Sequence, residues 1–141
     1  MLEVGQSCNV SNFSSGVFVL YFYPKDNTPG CTIEAQDFSK LLPEFTKLGV
    51  KVFGISKDDE ASHIKFTQEC ELSVPLIADI DGSICEAFGA IGEKTNFGKT
   101  YVGIIRSTFI VKDGIVLQRW KSVLVNDHAQ KVLDATAYLL K

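Results

Sequence analysis

The sequence lacks the features that mark several specialised classes of protein. Its 141 residues contain no apolar run near the ~20 residues that a membrane-spanning helix needs. There is no block of basic residues, and a net charge of −3 gives no reason to expect binding to nucleic acid or to an anionic membrane. Residues 1–6 have neither the basic nor the apolar region of a signal peptide, so we expect a cytosolic protein.

Cysteines are few and widely spaced, at Cys8, Cys31, Cys70 and Cys85. No two of them form a Cys-x-x-Cys pair, which argues against a dithiol exchanger and against a structural zinc site. We expect neither a metal nor a cofactor. A secreted disulfide framework would be denser and its chain shorter. In a reducing compartment, some of these thiols are expected to pack in the core while one or two do chemistry.

Apolar patterning predicts alternating strands and helices. Residues 17–22 and 50–55 have the β-branched and aromatic runs of strands buried on both faces, and helical periodicity covers about 31–49 and 59–71. The other predicted elements are a short strand at 76–78, a short helix at 82–88, a loop at 91–102, a hairpin with strands at 104–111 and 115–120, and a last helix capped by Asn126-Asp127. This order predicts one α/β domain over residues 1–141, a three-layer α/β/α sandwich with a mixed central sheet.

Pro43 interrupts the first predicted helix. Because its ring removes an internal hydrogen bond, we expect it to kink that helix or to split it in two.

Cys31 follows a loop stiffened by Pro24 and Pro29 and opens the first predicted helix. Unpaired backbone N–H groups and the helix dipole favour an anion there, so we expect Cys31 to be partly or fully thiolate at neutral pH. Thr28, three residues earlier, can aim its hydroxyl at the sulfur or at an oxygen held beside it. Glu34 opposes the thiolate from one turn away unless a cation compensates.

Arg106 is the candidate for that cation. The chain has only two arginines, and this one falls within the apolar strand predicted at 104–111. A charge in such a strand is costly unless it is paired or poised at a site. Two interpretations remain open, a structural salt bridge at the strand end, for example to Glu34, and a cation beside Cys31. Cys31, taken alone, could equally be a small packing residue.

The loop before Cys31 has a recognisable form. Pro24-x-x-x-Thr28-x-x-Cys31 matches the P-x-x-x-T-x-x-C signature of peroxiredoxins, and the wider string from Tyr21 to Ala35 resembles the bacterioferritin-comigratory-protein, or peroxiredoxin Q, branch. Further matching strings are Gly54-Ile55-Ser56-x-Asp58, Ser62-His63-x-x-Phe66 and Arg106-Ser107-Thr108-Phe109-Ile110. The resemblance covers about residues 1–6 and 17–133.

This resemblance implies a thioredoxin fold in which Cys31 is the peroxidatic nucleophile, while Thr28 and Arg106 hold the peroxide oxygens and Pro24 shapes the loop. It implies reduction of hydrogen peroxide and small organic hydroperoxides through a Cys31 sulfenic acid, with thioredoxin as the reductant and an antioxidant role. We expect a monomer, with a weak dimer as the alternative. The rival functions are a thioredoxin-like sensing or docking module without turnover and a glutaredoxin-like transferase.

Two features depart from the family pattern. Many members carry a resolving cysteine five residues after the peroxidatic one, where this chain has Gln36. Others place it in the following helix near the position of Thr67, and here the nearest cysteine is Cys70, one turn later. Cys70 is therefore a candidate resolving thiol, and the alternative is direct attack of the reductant on the sulfenic acid. The segment between Gln6 and Val17 is also shorter than in the family, so its opening hairpin is expected to be reduced.

The remaining histidines, cysteines and motifs are interpreted mainly as structural or surface features. We expect His63 and His128 to be solvated surface histidines, and Cys85 to be a packing residue with only a minor claim to the resolving role. Cys8 lies in no motif. Gly98-Lys99-Thr100 is interpreted as a surface loop rather than a phosphate-binding loop, and Asp79-x-Asp81-Gly82 as a turn and helix cap rather than a calcium site.

Overall fold

A mixed β-sheet forms the centre of the fold. The computed structural model describes the backbone of residues 1–141 and every side chain except that of Asn96. Its helices and strands, in chain order, are β1 (Val17–Phe22), α1 (Pro29–Lys47), β2 (Val50–Ser56), α2 (Glu60–Cys70), β3 (Leu76–Ala78), α3 (Ser83–Phe88), β4 (Ile91–Asn96), β5 (Lys99–Ile104), β6 (Ser107–Lys112), β7 (Ile115–Trp120) and α4 (His128–Leu139). The five-stranded sheet has the order β3-β2-β1-β6-β7. β1 is parallel to β2 and antiparallel to β6.

The central strand β1 supplies both halves of the core. Successive side chains of a strand point to opposite faces. Val19 and Tyr21 therefore pack with residues of α1, α2 and α4, while Phe18, Leu20 and Phe22 pack with residues of α3 and the N-terminal segment. The expected three-layer sandwich with a thioredoxin-type mixed sheet is confirmed.

The helix α1 runs through Pro43 without a break, so of the two effects expected of this proline, a kink or a split, the split is wrong. Proline has no N–H for the carbonyl of Ser39, four residues earlier. That carbonyl accepts a hydrogen bond from the Ser73 hydroxyl at 3.2 Å, and the Ser39 hydroxyl in turn accepts from the Ser73 and Val74 backbone N–H groups, both at 3.1 Å. A neighbouring loop thus satisfies the group that the proline leaves free.

The segment predicted as a loop at 91–102 is instead an antiparallel hairpin of β4 and β5, paired from Ile91 with Ile104 to Asn96 with Lys99. Phe97 and Gly98 form its tip, with φ of 53° and 75°. Such left-handed conformations at both turn residues suit a tight hairpin, and glycine adopts them at little cost. The glycines and lysines of this segment concealed its strand pattern.

The strand predicted at 104–111 begins only at Ser107 as β6, because Ile104 already ends β5. The chain changes sheets at Ile105 and Arg106. Ile105 N–H donates to the Ala90 carbonyl at 2.7 Å, and the Arg106 carbonyl accepts from Val123 N–H at 2.9 Å. Arg106 therefore lies just before the central strand β6 rather than within it. Its side chain is thus not confined to a face of the sheet.

The remaining turns largely follow expectation. Asp113 and Gly114, with φ of 49° and 81°, make the predicted tight turn between β6 and β7. α4 begins directly after Asp127, but the side chain of Asp127 makes no capping hydrogen bond, so that part of the prediction is wrong. At the N-terminus an isolated bridge joins Ser7 to Ile115 of the edge strand β7. No helix among residues 1–141 is long and apolar enough to span a membrane.

Candidate active site

Cys31 lies in the first turn of α1, which begins at Pro29, two residues earlier than predicted. Thr28 is the N-cap residue, and its carbonyl accepts the Thr32 N–H at 2.9 Å as the first bond of the helix. The N–H groups of Gly30 and Cys31, which precede this bond in the helix, have no partner within the helix. Cys31 is only 1% exposed, so bulk water has little access to its sulfur.

Arg106 joins Cys31 to Glu34. Its Nη2 donates to Cys31 Sγ at 3.1 Å and its Nη1 donates to Glu34 Oε1 at 2.7 Å. Gly30 makes room for this guanidinium, since a Cβ at that position would lie 3.2 Å from Nη2. The two interpretations left open by the sequence are therefore both realised, because the arginine has a carboxylate partner and also contacts the cysteine.

Glu34 is almost completely buried, and its Oε2 has no hydrogen-bond partner among the side chains that the structure describes. Burial raises the pKa of Glu34 from 4.5 to about 7, with Arg106 opposing the rise. For Arg106, burial works to lower the pKa, but Glu34 and Cys31 outweigh it and hold the pKa above its usual value. Arg106 thus stays cationic, while Glu34 changes charge near neutral pH.

The raised pKa of Glu34 predicts a pH-dependent stability. As pH rises from 4.5 to about 7, the unfolded chain releases this proton before the folded one, so folding becomes less favourable over that window. Above this window Glu34 is ionised in both the folded and the unfolded chain, so the loss in unfolding free energy no longer changes with pH. We expect Glu34→Gln to remove this part of the pH dependence, measured by urea unfolding across the same pH range. If the parent and Glu34→Gln show the same change in unfolding free energy between the two ends of this pH range, Glu34 is not a buried ionisable group.

The Thr28 hydroxyl donates to the Lys25 carbonyl at 2.8 Å. Its proton is therefore not aimed at the Cys31 sulfur, and that part of the prediction is wrong. A hydroxyl oxygen that has given its proton to a carbonyl keeps lone pairs free, so it remains able to accept from a peroxide O–H. Pro24, half-buried at the start of the loop, fixes the backbone that makes this turn.

Lys94 is a nearby cation that sequence reasoning missed. Its Nζ donates to the Ile104 carbonyl at 2.8 Å. Burial and the charge of Arg106 lower the pKa of Lys94, while Cys31 opposes the change. The segment was predicted to be a loop, so no periodicity pointed its side chain toward the site.

The sheet separates Cys8 and Cys85, but not Cys70, from Cys31. Cys31 and Cys70 pack against the same hydrophobic cluster, whereas Cys8 and Cys85 belong to the cluster on the opposite face. Burial and the neighbouring Asp79 raise the pKa of Cys85. This favours the packing interpretation of Cys85. Cys70, half-buried at the end of α2, directs its Sγ toward Asn27 Oδ1 in the active-site loop at 3.8 Å.

The prediction that His63 and His128 are solvated is wrong, because both are buried. His63 lies three residues before the core residue Phe66 and His128 four before Val132, so each shares the inner face of its helix. His63 Nδ1 lies 2.7 Å from Asp26 Oδ2, and His128 Nε2 lies 2.8 Å from the Thr108 hydroxyl. Burial lowers the pKa of His128 to about 4. The spacing to the core residues was a signal of this burial.

The two discounted motifs have ordinary structures. Asp79 accepts hydrogen bonds from the Ile84 and Cys85 backbone N–H groups at 3.1 and 2.8 Å, so it caps α3 as predicted. Gly98-Lys99-Thr100 spans the exposed hairpin tip and the start of β5 rather than the loop that was predicted there.

Comparison with known proteins assigns the chain to a family. Residues 2–119 match the model of the AhpC/TSA family. Peroxiredoxin Bcp from Xanthomonas campestris pv. campestris is 49% identical over 118 residues, which cover 83% of this chain and 74% of that protein.

Solved structures agree with this assignment. Bacterioferritin comigratory protein of Xanthomonas campestris, solved as trapped intermediate and ligand complexes that concern its alkyl peroxide reduction, superposes with a TM-score of 0.86 at 45% identity and covers 92% of this chain and 83% of its own. A cysteine-to-serine mutant of PrxQ from Xylella fastidiosa superposes with a TM-score of 0.92 at 33% identity over 100% of this chain and 99% of its own.

The expected enzyme class is thereby confirmed together with the fold, since relatives at this identity are peroxidase oxidoreductases that act through a thiol. The chain belongs to the AhpC/TSA family, and within it to the thiol peroxidases of the peroxiredoxin Q and Bcp group.

Proposed function

We propose that Cys31 is the peroxidatic residue and that it reduces hydrogen peroxide and small organic hydroperoxides. The observation that carries this proposal is the Arg106 guanidinium, which donates to Cys31 Sγ at 3.1 Å and to Glu34 at 2.7 Å. A cation held against a thiol at a helix start favours the thiolate, the form that attacks. The alkyl peroxide reduction described for the Xanthomonas campestris relative supports organic hydroperoxides as substrates.

The chemistry follows from this arrangement. The Cys31 thiolate attacks one peroxide oxygen in line with the O–O bond, so an S–O bond forms as the O–O bond breaks. The leaving hydroxide or alkoxide takes up a proton, and Cys31 becomes a sulfenic acid. Arg106 and the backbone N–H groups of the first turn of α1 stabilise the negative charge spreading along the S–O–O axis. The Thr28 oxygen accepts from the peroxide O–H and fixes its direction.

Return of the enzyme to its thiol form requires a thiol reductant, which we propose is thioredoxin. We assign Cys70 as the resolving cysteine, because it faces the same side of the sheet as Cys31 and contacts the active-site loop through Asn27. Its thiol would displace the sulfenic oxygen to form a Cys31–Cys70 disulfide, which thioredoxin then reduces. We further propose that the enzyme acts in the cytosol as a monomer.

One experiment tests the whole proposal. Peroxide-dependent NADPH oxidation is measured with thioredoxin and thioredoxin reductase, for the parent and for each Cys→Ser variant. Turnover that requires both peroxide and thioredoxin supports the proposed function. Slow oxidation of Cys31 without coupling to a reductant would instead indicate a sensing or docking module.

Cys70→Ser tests the resolving role separately. If Cys70 resolves the sulfenic acid, its replacement is expected to slow turnover and to leave a persistent sulfenic acid that a dimedone-type reagent traps, because the displacing thiol is gone. Cys85→Ser is the matched control, since Cys85 lies on the other face of the sheet. Turnover of Cys70→Ser at the parental rate, with no disulfide in the oxidised parent by mass spectrometry, would show that the reductant attacks Cys31 directly.

A further inference from the structure

A buried carboxylate–imidazole pair joins the active-site loop to α2. Asp26 Oδ2 lies 2.7 Å from His63 Nδ1, and these side chains are only 2% and 6% exposed. Asp26 Oδ1 accepts from the Tyr23 hydroxyl at 2.7 Å, and Oδ2 also accepts from the Ser62 hydroxyl at 2.8 Å. The loop that precedes Cys31 is thus bonded to the first turns of α2.

The other ring nitrogen of His63 fixes how the pair holds its protons. Nε2 lies 3.0 Å from the Ile77 carbonyl, which can only accept, so Nε2 bears a hydrogen. The remaining proton lies between Nδ1 and Asp26 Oδ2, and wherever it resides the pair has no net charge. A neutral pair with satisfied hydrogen-bonding groups is compatible with burial, whereas removal of one partner leaves the other uncompensated.

Each residue of this pair begins a short segment that ends in a cysteine. Cys31 comes five residues after Asp26, and Cys70 comes seven residues after His63. The same helix α2 thus meets the loop at two points, at its start through His63 and at its end, where Cys70 Sγ faces Asn27 Oδ1 at 3.8 Å.

A Cys31–Cys70 bridge requires the two Cα atoms to come within about 7 Å, and residues on two separate helices seldom meet this limit without local unwinding at the helix ends. Terminal turns open at small cost because few hydrogen bonds break, and the helix α2 stops at Cys70, since Glu71 after it is left-handed. Separation of the buried pair is far more costly. Extended segments of five and seven residues reach about 17 and 24 Å, so the thiols can meet without breaking the pair.

We propose that the Asp26–His63 pair stays bonded after peroxide reduction and acts as a fixed pivot. It holds the active-site loop against α2 while Cys31 and Cys70 approach each other. This rests on the resolving role proposed for Cys70. The Cys70 thiolate attacks the Cys31 sulfur, the S–S bond forms as the S–O bond breaks, and the departing hydroxide takes a proton to leave as water. Asp26 and His63 are positioning residues that keep the effective concentration of one thiol at the other high.

The test separates the two chemical steps by rapid mixing with peroxide and mass spectrometry. For Asp26→Asn and His63→Gln we expect sulfenic acid to form at close to the parental rate, because Arg106 and Glu34 orient Cys31 independently of the pair. Disulfide formation is expected to slow roughly tenfold or more as the tethered thiol loses effective concentration. Excess peroxide should then convert more Cys31 to sulfinic acid. Asp79→Asn, another buried aspartate, is the matched control and should keep the parental rate of disulfide formation.

Milder variants keep the proposal testable if those two fail to fold. Ser62→Ala and Tyr23→Phe each remove one hydrogen bond to Asp26 and should slow the same step by a few-fold. Disulfide formation at the parental rate or faster in the variants that fold would overturn the pivot while leaving the peroxidase assignment intact. A parent that forms no Cys31–Cys70 bridge would overturn both the resolving role and the pivot.

Discussion

Replacing Cys31 by serine is expected to abolish peroxidase turnover. Among the four cysteines, Cys31 is the one that lies at the start of a helix with an arginine donating to its sulfur. A serine hydroxyl is not ionised there and is a poor nucleophile toward a peroxide. We expect a loss of more than ~100-fold in kcat/KM, equivalent to about 3 kcal/mol of barrier.

The measurement is the coupled NADPH assay, with Cys8→Ser and Cys85→Ser as controls. Both control cysteines are buried on the opposite face of the sheet, so their replacement tests for general damage to the fold. Retention of more than a few per cent of activity by Cys31→Ser would contradict the assignment of the nucleophile.

Arg106→Met is expected to slow the peroxide step roughly 10- to 100-fold while the protein remains folded. The substitution removes the cation that donates to Cys31 Sγ, so the stabilisation of the negative charge that develops during attack on the peroxide should fall. The rate of Cys31 oxidation by peroxide, followed by rapid mixing, measures this effect. If the rate does not change, Arg106 has no part in the reaction.

Two further variants define what the guanidinium contributes. Arg119→Met makes the same change at the other arginine, which donates to the Leu2 carbonyl at 2.7 Å, and it should leave Cys31 oxidation unchanged. Arg106→Lys retains a charge but cannot reproduce the fork that reaches Cys31 and Glu34 together, so partial activity is expected. Full activity of Arg106→Lys would show that only charge matters and that the bridging geometry does not.

Local sequence signals predicted the framework and the position of the cysteine that we propose as the nucleophile. The β-branched run of β1 and the helical periodicity after the Pro24 to Gly30 loop define a strand, a stiff loop and a helix start, which places Cys31 at an anion-favouring position. The scarcity of arginine pointed to Arg106 and to Glu34 as its partner. Both signals depend on residues close in sequence or on composition.

Contacts between distant segments could not be predicted in this way. The Ser39 carbonyl freed by Pro43 finds its donor 34 residues away, and His63 finds Asp26 37 residues away. The spacing of His63 from Phe66 indicated that the ring faces inward, but no local pattern identifies its partner. The hairpin of β4 and β5, and with it Lys94, was missed because glycine and lysine interrupt the alternation that marks a strand.

The most direct test of Cys31 as the nucleophile is to oxidise the reduced Cys70→Ser variant with one equivalent of hydrogen peroxide and to locate the added oxygen by peptide mass spectrometry. We expect one oxygen on Cys31 as a sulfenic acid, formed much faster than in the Arg106→Met/Cys70→Ser double variant, with Cys8 and Cys85 unmodified. Oxygen found on another cysteine first, or equal rates in the two variants, would contradict this expectation.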